Sequence, residues 1–264
     1  MQDIHLSAPA DQAHGLRRLF AGTQVQHIAL VANPHVAFTG VVLERLTTVL
    51  GTLGLHTLVV DAADSSPSPQ ELAALDLRAG IETLSPRVSY LAARGLPLGH
   101  VDTRGSSAHF LDRLQAAAPQ CGVLLVHAGA SDLARLYAQR ALRPLLLASE
   151  QPEAVTHAYA AMKLLVMRRQ LMSYDLLLAA PPALPRTRAV AQRLASCAEN
   201  FLGASLHDWV AVDPACDVRE EPGDALTGLV AAQLRGTPEG VETPTATAHA
   251  WRATAPRHAA MNPN

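Results

Sequence analysis

Lysine is nearly missing from this chain: Lys163 is the single one, and the other 20 of the 21 basic residues are arginines. A site formed anywhere else in the molecule therefore has no lysine ammonium to draw on. Charge as a whole is scarce, at 17% of residues and a formal net of -2. That gives no global pull toward nucleic acid or anionic membrane and excludes a basic-groove mechanism. The three cysteines, Cys121, Cys197 and Cys216, are odd in number and far apart. They exclude a disulfide framework and a CxxC pair, and read as buried or half-buried free thiols. No run of about 18 uncharged apolar residues occurs, and MQDIHLSAPADQAHGL has no basic segment leading into an apolar one. The expectation is a soluble, cytoplasmic protein.

Familiar catalytic spacings are missing too. The 12 histidines show no HExxH or other paired spacing, so no metal site is expected. HAGASDL at 127–133 places Ser131 after a strand without the second glycine of a nucleophile elbow. Ser131 reads instead as the cap of the following helix. Arg168 and Arg169 close a long helix, where they complement its dipole.

What the chain does have is apolar residue, 49% of the total, enough for one large core with appendages. Short apolar runs predict strands at 27–32, 56–62, 88–93, 122–128, 143–149, 174–180 and 208–213. Segments of helical spacing fall between them at 40–53, 106–118, 131–140, 152–169, 185–201 and 224–235. This alternation predicts an α/β fold, a doubly wound and mostly parallel sheet with helices on both faces. Residues 1–24 read as an N-terminal helix, with Leu16, Leu19 and Phe20 on one side, plus a linker; 25–235 as the α/β domain; 236–264, rich in Pro, Thr and Ala, as a disordered tail.

The unit HIALVANPHVAFTGVVLERLTTVLGTLG followed by HTLVVDA resembles the first βαβ unit of the MinD/ParA P-loop ATPases, where the turn reads KGGVGKT. That turn needs glycines so that backbone N–H groups can wrap the phosphates, lysines to neutralise them and a hydroxyl for magnesium. Here Pro34, His35, Val36, Ala37, Phe38, Thr39 and Gly40 take those places. Both lysines are gone, and proline removes a donor. The family's DAD strand end keeps Asp61 but has Ala63 at the second position, with Asp64 one residue on. Its magnesium-shell aspartate is here His127, a poor match for an ion that prefers oxygen; its adenine-contacting asparagine is Ala179. The resemblance thus implies ATP and magnesium as the family's cofactors and, through four losses, their absence from this chain: a pseudo-ATPase. Because nucleotide bridges the protomers in that family, a monomer is expected.

LLLASEQPEAVTHAYAAMKLL at 145–165 and AENFLGASLHDWVAVDPACDV at 198–218 also resemble family segments, including Glu150, Pro152, Tyr159 and Lys163, so the likeness spans about 25–235. DQAHGLRRL at 11–19 is similar to the DQAxxLR motif of the FlhG/FleN regulators of flagellar number. In that subfamily the motif engages an FlhF-type GTPase, which assigns partner contacts to Asp11, Gln12, Ala13, Leu16 and Arg17. Basal-body or flagellar transcription-regulator components are further implied partners. DALTGLVAAQLR near the C-terminus has one arginine and precedes a polar tail, so weak or no membrane binding is expected. The alternatives are a divergent working ATPase of the same type and a MinD-like adapter of another polar machine, such as one for cellulose synthesis.

Overall fold

The computed structural model describes residues 25–217 and 219–235. The expected N-terminal helix and C-terminal tail lie outside the described residues. Eight strands form one sheet in the order β3-β4-β2-β5-β1-β6-β7-β8. In chain order they are β1 (Gln26–Val31), β2 (Thr57–Asp61), β3 (Ile81–Ser85), β4 (Val88–Ala92), β5 (Val123–Ala128), β6 (Leu145–Ser149), β7 (Ser173–Ala179) and β8 (Ser205–Val212). The helices are α1 (Thr39–Thr52), α2 (Ala108–Ala117), α3 (Ala130–Leu136), α4 (Pro152–Arg169), α5 (Pro185–Leu202) and α6 (Asp224–Leu234). Every pairing is parallel except β3 with β4. This is the predicted α/β architecture, with all seven expected strands present.

Three expectations need correction. The sheet has an eighth strand, β3, whose sequence IETLS is mostly exposed and joined to β4 by a two-residue turn; an edge strand with little to bury leaves no apolar run. Helix α3 ends at Leu136 instead of reaching 140. Ser131 lies inside α3, and the cap position belongs to Gly129.

β1, β2, β5 and β6 are apolar almost throughout because both sheet faces are covered. On one face Leu58, Val60, Val126 and Leu178 pack with helices α2 to α5 through Phe110, Leu133, Met162 and Leu194. Among the described residues the opposite face, with Ile28, Leu30, Val59 and Leu125, packs mainly on α1 and α6, through Val42, Leu46, Leu50, Leu226 and Leu229, with Ala154 at the start of α4 joining them. Helix α1 earns this position by apolar residues at Val42, Leu46, Val49 and Leu50, the spacing of one helical face. Among the described residues no helix is long and apolar enough to cross a membrane.

Polar staples close the ends. The carboxylate of Asp175 on β7, fully buried, meets Arg143 Nε at 2.9 Å and accepts from Gln233 Nε2 of α6 at 2.6 Å and Asp208 N at 3.1 Å. Arg169 does more than complement a dipole: its guanidinium donates to the carbonyls of Tyr137 at 2.6 Å and Arg140 at 3.3 Å, tying the end of α4 to the turn after α3. Asp175→Ala strands the Arg143 charge in a site that is 11% exposed. We expect it to lower unfolding free energy by about 3–5 kcal/mol, read by urea denaturation, whereas Asp112→Ala at the exposed Arg140 pair should cost under about 1 kcal/mol.

Candidate functional site

The turn between β1 and α1 is built around Asn33. Its side chain is 3% exposed and donates through Nδ2 to Leu147 O at 2.9 Å and Ala154 O at 2.8 Å, while Oδ1 accepts from His35 N at 3.1 Å. One amide thus fastens the turn to the end of β6 and the start of α4. Sequence reading gave Asn33 no role, although an Asn before Pro is a turn signal. Val36 N donates to Asn33 O at 3.1 Å, and Thr39 Oγ1 to Val36 O at 3.2 Å. Two of the turn's backbone donors, His35 and Val36, are thereby committed inside the turn, and Pro34 has none to offer.

Phe38 caps α1 at φ 57 and ψ 33, the left-handed region, with its ring 70% exposed. A β-carbon there is strained by about 1–2 kcal/mol, and the residue at this point aligns with a glycine of the KGGVGKT turn. Pro34 and Gly40 are exposed and Thr39 half-buried. Lys163 is exposed on α4, nine residues beyond Ala154, where that helix meets the turn, a separation of about 13 Å along the helix.

Asp61 and His127 come together. They are register partners on adjacent parallel strands, and His127 Nδ1 donates to Asp61 Oδ1 at 2.7 Å. Ser66 Oγ also donates to Oδ1, and Tyr90 OH to Oδ2 at 3.1 Å. Burial pushes the Asp61 carboxyl up, but the donors His127, Ser66 and Tyr90 offset it and hold it below its ordinary value. Burial and the Asp61 charge push the Tyr90 phenol up. The Nε2 of His127 is buried and meets no hydrogen-bond partner among the described residues. Ser66 and Tyr90 carried no sequence signal, because strand pairing and a loop return bring them to Asp61 from 5 and 29 positions away. Ala63 is buried and Asp64 exposed.

Other residues singled out in the sequence fall nearby. Glu150, after β6, pairs with Arg186 Nε at 2.5 Å and accepts from Thr187 Oγ1 at 2.7 Å, joining the starts of α4 and α5. Ala179 ends β7 and is buried. His35 and His157 stack edge to face with centroids 5.7 Å apart, an adjacency no sequence spacing announced. Among the described residues no group of three or more metal-capable side chains forms. Asp11, Gln12, Ala13, Leu16 and Arg17 lie outside the described residues.

No family model and no curated protein matches this sequence. Solved structures do match. An McdA variant from Cyanothece in complex with ATP has a TM-score of 0.55 at 10% identity, over 81% of this chain and 97% of that one. A chain of the MinC:MinD cell division protein complex from Aquifex aeolicus has 0.53 at 11%, over 81% and 97%. Cobyrinic acid a,c-diamide synthase from Mycobacterium smegmatis has 0.53 at 13%, over 80% and 94%. At such identities the likeness is one of fold.

Because the folded-state pKa of Asp61 is lowered, its contribution to stability is complete above the ordinary carboxylate range and is lost as pH falls through the folded value. Thermal melts from pH 7 down to 3 should show wild type losing stability below about pH 4 more steeply than Asp61→Asn. Asp61→Ala, which leaves three donors unpaired, should lower stability at pH 7 by about 2–4 kcal/mol.

Proposed function

The chain has the MinD/ParA-type P-loop fold, and we propose that it is a non-hydrolysing regulator of that type, of the FlhG/FleN kind, which engages an FlhF-type GTPase through Asp11, Gln12, Ala13, Leu16 and Arg17. The observation that carries this reading is the sequence DQAHGLR at 11–17 placed ahead of a domain whose phosphate turn has Pro34 and Thr39 at both lysine positions. The chemistry of the turn supports the second half. A triphosphate needs several inward N–H groups and at least one ammonium, and the turn instead spends His35 N and Val36 N on Asn33. The third phosphate-site element, the magnesium shell, has an imidazole at 127 that is occupied with Asp61.

A divergent working ATPase is the competing reading, and Phe38 favours it: its left-handed backbone stands where the resemblance aligns a glycine, and the N-terminus of α1 that follows carries the positive end of a helix dipole. Were ATP held, the residues present would offer it the first-turn N–H groups of α1 and the Thr39 hydroxyl, with no cation from lysine. In isothermal calorimetry with Mg-ATP the regulator reading expects no binding in the micromolar range, and light scattering with or without ATP expects a monomer. Micromolar affinity or an ATP-dependent doubling of mass would establish the ATPase reading instead.

The partner half is tested with a peptide of residues 1–22 added to the cognate FlhF-type GTPase. Leu16→Ala should weaken binding by about 1–3 kcal/mol, as loss of a central apolar anchor does. Gln12→Ala should spare binding yet reduce the stimulated rate. No stimulation by peptide or full chain would leave an adapter of another machine as the remaining reading.

A further inference from the structure

On the α1 side of the sheet the cover thins over β4, and a cavity of about 780 Å³ opens there between α1 and β4. That volume falls among small-molecule sites, which run from about 300 to about 1,000 Å³. The cavity is separate from the phosphate turn: among the described residues its lining begins at Gly40 and includes none of residues 33–39. Leu43 from α1, with Val59, Val88 and Tyr90 from the sheet, makes it mostly apolar. Because α1 runs back along parallel strands, its first residues stand near Asp61 at the end of β2, and its last turn near Arg87, just before β4.

The two ends offer different chemistry. Asp61 is buried and lines the cavity. Ser66 and His127 donate to its Oδ1 and Tyr90 to its Oδ2, so of the roughly four lone-pair positions on a carboxylate one stays open, on Oδ2. The neighbouring hydroxyls are already spent as donors: Tyr90 on that same oxygen, Thr47 and Thr48 on Glu44 O at 2.9 and 2.8 Å. Each can still accept. With the Glu44 carboxylate on the helix wall, this end presents acceptors and negative charge. At the other end Arg87 is exposed and has one N–H held by Gly51 O at 2.8 Å. Asp61 pairs in register with Ala92, five residues beyond Arg87, a run of about 16 Å in a strand. That is twice the screening length of about 8 Å at physiological salt, so the guanidinium does little to offset the acidic end.

We propose that this cavity is a binding site for a small organic cation, an amphipathic amine whose ammonium donates to Asp61 Oδ2 beside Glu44 and whose apolar body lies along α1 on Val59, Val88 and Tyr90. An ammonium leaves water only for a carboxylate partner, and Asp61 supplies one: its donors hold the carboxyl below its ordinary value, so it is charged at neutral pH. The Tyr90 ring adds its own attraction for a nearby cation. A carboxylate ligand of the same shape meets like charge and lone pairs against lone pairs. The site stands on the cavity and its polar groups, independently of any partner role of residues 11–17.

Tryptamine and indole-3-propionate share a ring and a chain length and differ in the sign of their charge, so amide chemical-shift titration of the full chain with each tests the proposal. Tryptamine should bind in the millimolar range that suits so small a molecule, roughly ten-fold or more tightly than the propionate, and should shift the amides of Glu44, Thr47, Val59 and Tyr90. Asp61→Asn should weaken tryptamine roughly ten-fold, and Glu44→Gln, at an exposed position, roughly two-fold to three-fold. Arg87→Gln should leave its affinity within about two-fold. Thr48→Trp, which fills the cavity from a half-buried helix position, should abolish binding, with an unchanged melting temperature certifying the fold; should that variant not fold, the shifted amides and Glu44→Gln decide. No binding of tryptamine overturns the proposal. So does equal affinity for the two ions, which removes charge recognition, and so do shifts confined to other surfaces or an affinity indifferent to Asp61→Asn, which place the cation elsewhere.

Discussion

An open sheet with apolar side chains on both faces has to be covered on both, and this requirement organises the molecule. β1 and β5 sit near its centre and are almost continuously buried, so the segments leaving their ends must turn sharply and return as helices. The backbone of each turn then lies at the rim of the core, where unpaired N–H and C=O groups are expensive. In this chain the β1–α1 turn meets that demand with its own side chain. Asn33 pairs with carbonyls from β6 and α4 and with the next N–H but one, which closes the turn with no external anion.

The same substitution of internal polar contacts for external ones occurs one strand over. Asp61 would be a costly buried charge alone; with His127, Ser66 and Tyr90 all donating to it, it becomes a satisfied network linking β2, β5, β4 and the loop after β2. Satisfied networks specify a single arrangement, and this one occupies the strand ends where an open α/β sheet presents its crevice. His127 is the member with spare capacity, since Nδ1 is committed to the carboxylate and Nε2 is buried without a partner among the described residues. A tightly knit turn and a tightly knit carboxylate together fix the shape of this end of the sheet through contacts internal to the chain.

How much of this was legible in the sequence follows from range. Strands buried on both faces, such as VLLVHA at 123–128, announce themselves because periodicity is local; β3 did not, because an edge strand packing on one side through Ile81 offers no pattern to count. Asp61 and His127 were singled out by resemblance, yet their contact could not be read from positions 66 apart; it exists because β2 and β5 pair in register. Ser131 misled in the other direction. A hydroxyl just after a strand fits a cap, but Gly129 already supplies the extended φ and ψ from which α3 starts, so the serine falls within the first turn.

The uneven covering of the two faces carries the last step. Four helices against one face and two against the other leave α1 flanked by α6 on one side and by an apolar groove on the other. A bare groove of that kind over a sheet edge is a liability, open to edge pairing and association, and the chain manages part of it with charge: Glu44 and Arg87 are among the residues that line it. Charges of both signs at an apolar floor discourage a flat hydrophobic partner. The length of α1 from Gly40 to Gly51 thus presents an open apolar face beside β4, the one stretch of this sheet side that neither α1 nor α6 covers.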